Sequence, residues 1–261
     1  MAMLVPMWIL MALWLSFVAV SGVSAYKKWQ RTAGSIRTQL FYLWVGAAIV
    51  FAGDLLHTIA FTVSTYTGNP TGPVQVLGRV FEFRTFAMFF DALVFMVYYA
   101  LWALFIVSRY QQGKPEPYDK VSLGLAVAAM VLILPGAVPN ALGVYTLDYN
   151  IAIWAPHIIL FIIFGVMTVL KLISCSRHAF KESSDPVIQT QERALSIAGI
   201  GFAFSFLFFT LFLFLTTLKS EPGVFMILKT FAYMIAFFYI IKGFILSIPG
   251  SWLQIKTRVM E

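Results

Sequence analysis

TQLFYLWVGAAIVFAGDLLHTIAFTV, residues 38–63, is apolar for long enough to cross a bilayer, yet it carries Asp54 and His57 near its far end. A hydrocarbon core of roughly 30 Å needs about 20 residues of helix at 1.5 Å each. Six further blocks of comparable length surround it, at 3–25, 80–108, 121–138, 151–173, 194–218 and 224–247. The short alternating segments of a membrane β-barrel are missing. The spacing therefore predicts an all-α integral membrane protein, a single seven-helix bundle filling residues 1–261.

Bulk composition agrees. Hydrophobic residues make up 61% of the chain and charged residues 11%, with a mean hydropathy of +0.87. A water-soluble domain cannot bury that much apolar surface.

Basic residues then orient the spans, because Lys and Arg flanking a membrane helix are retained on the cytoplasmic side. Lys27, Lys28, Arg31 and Arg37 fall in the first connection, Arg109, Lys114 and Lys120 in the third, Lys171, Arg177, Lys181 and Arg193 around the fifth, and Lys256 and Arg258 in the tail. Residues 64–78 and 139–150 have none, and Lys219 is alone in the sixth connection. The expectation is an N-terminus outside and a cytoplasmic C-terminus, in a multi-pass protein of the cell membrane. The net charge of +7 is accounted for by this topology, and no nucleic-acid partner is called for.

Val23-Ser24-Ala25 resembles a leader cleavage site, but no basic residue precedes the apolar run and Lys27 and Lys28 follow it, which favours a retained first helix. The single cysteine, Cys175, excludes an intrachain disulfide. Gly-Asn-Pro-Thr-Gly-Pro at 68–73 and Gly-Lys-Pro-Glu-Pro at 113–117 are turn chemistry, not phosphate loops. The connections are too short to hold a second domain, so function is expected inside the bundle or through membrane protein partners.

An ionisable group in hydrocarbon costs several kcal/mol unless it is paired or meets water, so such residues are informative. Asp54 and His57 lie in the second span, Glu82, Arg84 and Asp91 in the third, His157 in the fifth and Lys229 in the seventh, with Tyr233 one turn after it. With the topology fixed, all but Asp91 fall in one layer of the outer half, and Asp91 lies nearer the midplane. Helical spacing puts Asp54 and His57 on one face. It does the same for Arg79 and Glu82, and for Arg84, Met88 and Asp91. Interfacial or internal salt bridges are the bland reading of the third-span charges. His157 follows Pro156, which as a first-turn proline would place the imidazole beside exposed helix amides. For Lys229 the bland reading is a side chain snorkelling to the surface. The phenylalanines of the sixth span, Phe202 to Phe214, are spread around the helix as lipid contact and packing require.

Two principal readings follow, with a third beside them. In the leading one the chain is a membrane binding protein, a transporter or a receptor, taking a small polar ligand or protons through Asp54, His57, Glu82, Arg84, Asp91, His157, Lys229 and Tyr233. In the alternative it is a membrane-embedded enzyme on a lipid-like substrate, with a transition metal such as zinc on Asp54, His57 and His157 and with Glu82 or Asp91 as base. The third is an accessory subunit whose charges pair with a neighbour in the bilayer. A retinal-type Schiff base would have to use Lys229 with Asp91 as counterion. The Asp-Xaa3-Lys pattern in the last helix and the tryptophan in the sixth that mark microbial rhodopsins are absent. No catalytic motif fixes a reaction.

Overall fold

The computed structural model describes the backbone over residues 4–66, 73–76, 79–141, 147–217 and 223–248, and side chains over most of 8–60, 92–132, 156–211 and 227–248. Seven α-helices run through these residues: α1 Leu4–Trp29, α2 Gly34–Tyr66, α3 Phe83–Tyr110, α4 Pro117–Ala141, α5 Leu147–Glu182, α6 Pro186–Thr217 and α7 Gly223–Tyr239. A π-helical segment, Ile240–Ile245, continues α7. Six of the seven hold a stretch long and apolar enough to span a membrane. The described side chains of α4, 117–132, cover less than such a stretch. The molecule is a polytopic helical membrane protein.

Two short strands, β1 Pro73–Val76 and β2 Arg79–Glu82, pair antiparallel ahead of α3, with Val74 opposite Phe81 and Gln75 opposite Val80. The third span thus starts at Phe83, not at residue 80. Arg79 and Glu82 belong to a strand, so their helical spacing does not apply. The fifth helix begins at Leu147, so Pro156 lies inside it, and His157 is not in a first turn.

Consecutive helices pack side by side from α1 to α7, α1 closes on α7, and α3 also reaches α5. Between helices in lipid the driving force is close packing, which small residues permit. Gly53 of α2 is one such position, since an added Cβ would lie 2.8 Å from Val94 Cγ1 on α3. α3 is the hub. Its Tyr98, Tyr99, Trp102 and Phe105 are buried, and Phe202 of α6 meets the rings of Tyr98, Tyr99 and Trp102. Phe202 and Phe206 face this core while Phe204 is 52% exposed, so the sixth-span phenylalanines divide between packing and the lipid side.

The end of the bundle where the basic connections gather is held by polar contacts. Arg109 donates from Nε to Glu192 at 2.8 Å, from Nη1 to Gln39 at 3.1 Å and from Nη2 to Gln191 at 2.9 Å. Nη2 also reaches Glu192 at 2.5 Å, and Tyr110 donates to the same carboxylate at 2.6 Å. The Phe244 ring of the π segment lies 4.8 Å from the guanidinium carbon. Close by, Lys171 of α5 pairs with Asp119 at 2.6 Å and Glu116 at 3.1 Å. Lys28 of α1 donates to the Ile248 carbonyl at 2.7 Å.

Candidate functional site

In the half of the bundle opposite the basic end, Asp54 of α2 is 6% exposed and turns toward α1. The Trp14 indole N–H donates to its Oδ2 at 2.6 Å. Indole is a donor only, so a buried tryptophan in a membrane helix needs such an acceptor. A bond from N–H to a carboxylate is also stronger than one to a neutral oxygen.

The Trp14 ring carries the contact onward to α7. It meets Tyr233 with centroids 5.5 Å apart and Phe237 edge-on at 5.2 Å. The buried Tyr233 hydroxyl shares a 2.8 Å hydrogen bond with that of Tyr99 on α3. One turn before Tyr233, the Lys229 Nζ lies 4.8 Å from the Phe209 centroid, 5.1 Å from that of Phe95 and 5.9 Å from that of Tyr233. Three aromatic faces therefore help to hold the ammonium, an arrangement that partly replaces lost hydration. Lys229 is half-buried. Lys229 is thus a partly exposed cation set among rings.

The site assembled here has a carboxylate at one side, an ammonium at the other and aromatic rings between. It draws on α1, α2, α3, α6 and α7. His57 is half-buried one turn further along α2, toward the end opposite the basic one. Beside the cluster, the Tyr98 hydroxyl and the Trp102 indole N–H of α3 are buried and interact with each other.

His157 goes elsewhere. It is 1% exposed and its Nδ1 lies 2.9 Å from the Ala129 carbonyl oxygen, tying α5 to α4. Among the described residues no three His, Cys, Asp or Glu side chains come together as a metal-binding group, so Asp54, His57 and His157 are not gathered into the ligand set expected from their depth. A shared depth does not fix the rotation of each helix, and α5 turns this face toward α4. Glu82 ends β2, and Arg84 and Asp91 lie in α3, with their side chains outside the described residues.

Sequence reasoning missed Trp14, Tyr99, Phe95 and Phe209, because an aromatic residue in an apolar span is ordinarily core. The available signal was that Trp14 and Asp54 face each other at one depth of antiparallel neighbouring helices. It also used Arg109 only as a topology marker and passed over Glu192, a carboxylate in the first turns of α6. No protein-family model, curated protein or solved structure matches this chain, so the arrangement of its own residues must carry the functional argument.

Proposed function

We propose that the chain is a membrane binding protein, a transporter or a receptor, that takes protons or a small polar ligand in the half of the bundle opposite its basic connections. Asp54, His57, Lys229 and Tyr233 form the site, with Trp14 and Tyr99 as additional members. The observation that carries this reading is the buried Asp54 carboxylate, bonded to Trp14 and linked through the Trp14 and Tyr233 rings to Lys229. An ionisable group in a membrane interior is costly to retain for packing alone. Asp54 is such a group, nearly fully buried and accepting from the Trp14 indole.

Five helices contribute to the cluster, so occupancy of the site has the means to bias how α7 sits against α1 and α3. The metal-enzyme alternative draws no support from the described residues, where no three potential ligands gather. Residence in the cell membrane, with this half outward, follows the basic-residue rule.

The test is a thermal-shift screen of the purified protein against amino acids, small carboxylates, small amines and a pH series, with Asp54→Asn and His57→Ala run in parallel. The expected result is a stabilising solute or a pH response in the wild type that both variants lose while still inserting and folding. An unchanged response in both would overturn the assignment.

A further inference from the structure

A second polar surface lies at the other end of the molecule, where nothing proposed above requires one. A groove of about 580 Å³ runs between the start of α2, the end of α3 and the first turns of α4. Ser35, Thr38 and Tyr42 line it from α2 at positions i, i+3 and i+7, a hydroxyl stripe on one face of the helix. Opposite stand Ser108, Arg109 and Gln112. Leu104, Val107 and Leu123 complete the wall farther along their helices, toward the membrane interior.

The turn after α3 shapes this groove. Gly113 N–H bonds back to the Val107 carbonyl at 3.1 Å, and Gln112 and Gly113 take φ of 53° and 80°. That closure, reaching six residues back with two left-handed residues in succession, ends the helix sharply and leaves Lys114 exposed between the lining residues Gly113 and Pro115. Lys120, also exposed, sits one turn before Leu123 on α4. The nearby carboxylates are engaged elsewhere, Glu116 and Asp119 by Lys171 and Glu192 by Arg109. Two exposed lysines therefore stand next to residues that line a slot of hydroxyls and apolar side chains, Lys114 between Gly113 and Pro115 and Lys120 one turn before Leu123.

We infer that this groove seats the headgroup of an anionic phospholipid, its phosphate among the hydroxyls of Ser35, Thr38 and Ser108 and the lysines, its glycerol and first methylenes along Leu104, Val107 and Leu123. The amphipathic division of the wall selects a lipid over a free anion, since a soluble phosphate has no use for the apolar part. Basic residues at the membrane surface attract anionic lipid by charge, and the groove adds geometry to that attraction. The inference is independent of the Asp54 site.

Native mass spectrometry of the full chain, released from mixed phosphatidylglycerol and phosphatidylcholine nanodiscs, tests it. The wild type should retain phosphatidylglycerol over phosphatidylcholine by about 25-fold or more, and Lys114→Gln with Lys120→Gln should lower that preference by about fivefold per lysine. Thr38→Leu, at an exposed position, should reduce it without altering folding. Lys181→Glu, at the same end but off the groove, should leave it unchanged. Equal retention of the two lipids would overturn the proposal. So would equal sensitivity to Lys181→Glu, which would mean diffuse surface attraction. Glycerol 3-phosphate binding as tightly as the lipid, with the same dependence on the variants, would replace the lipid by a soluble anion and overturn it as well.

Discussion

The two ends of this bundle handle buried charge in opposite ways. At the basic end Arg109 and Glu192 are in direct contact, and Gln39, Gln191 and Tyr110 add further hydrogen bonds. At the other end Asp54 and Lys229 are each met by aromatic groups. An ion pair with its donors filled has little to gain from a ligand. At the other end an indole N–H meets the Asp54 carboxylate and three ring faces meet the Lys229 ammonium. The comparison teaches that this molecule holds charge through an ion pair with amide and phenol donors at one end and against aromatic groups at the other.

The largest expected effect tests the closed end. Arg109→Ala leaves Glu192 buried without its cation and should destabilise the protein by about 3–5 kcal/mol, measured as denaturant unfolding in detergent. Replacing both residues by Met should recover most of that loss, since removing a whole buried pair is often near neutral. A loss under about 1 kcal/mol for the single variant would erase the distinction between the two ends.

Trp14→Phe comes next. It keeps a ring against Tyr233 but removes the indole N–H from Asp54, and should cost about 1.5–3 kcal/mol, as hydrogen bonds to charged groups do. Asp54→Asn should cost clearly less, because the amide oxygen still accepts from Trp14. Thermal melts of the two variants side by side read the difference, and the reverse order would mean that Asp54 is not held as a carboxylate acceptor.

Gly53→Val probes the α2–α3 seam between the two ends, where overpacking against Val94 should cost about 1–3 kcal/mol. Equal loss of the proposed Asp54 response and of Arg109-dependent stability in this variant would show the two ends to be one unit. Smallest is Tyr233→Phe, which breaks the hydroxyl bond to Tyr99 while leaving the face toward Lys229. It should cost about 1 kcal/mol in the same melts. Lys229→Met, which loses the cation–π contacts, should cost about 0.5–2 kcal/mol. An effect above about 3 kcal/mol for either would place them in the class of the Arg109 pair.

Much of the fold is legible because the bilayer imposes a length and a charge rule that act locally on the chain. The seven helical blocks follow from the length rule. The β1–β2 hairpin is not legible, since Arg79 to Glu82 joins the apolar run of α3 with no break between them. Pro156 misleads because proline is tolerated inside membrane helices when neighbouring groups satisfy the freed carbonyl. For the site, depth was readable and rotation was not. Asp54, Lys229 and Tyr233 do come to one side of the bundle, whereas His157, at the same depth, is turned to Ala129. Which face of each helix looks inward is decided by pairs such as Gly53 with Val94, contacts between residues far apart in sequence.

The π segment at Ile240–Ile245 gives the last helix two separate frames. Leu246 N–H bonds five residues back to Ile241, at 3.0 Å, where an α-helix would reach back four. Deleting one residue within the segment would turn this into a four-residue α-helical bond between the same two positions, leaving the residues on either side on their present faces. Lys229 and Tyr233, upstream, would keep their places. The seventh helix is thus a shaft with slack in it, able to give up one residue near Arg109 without being retimed.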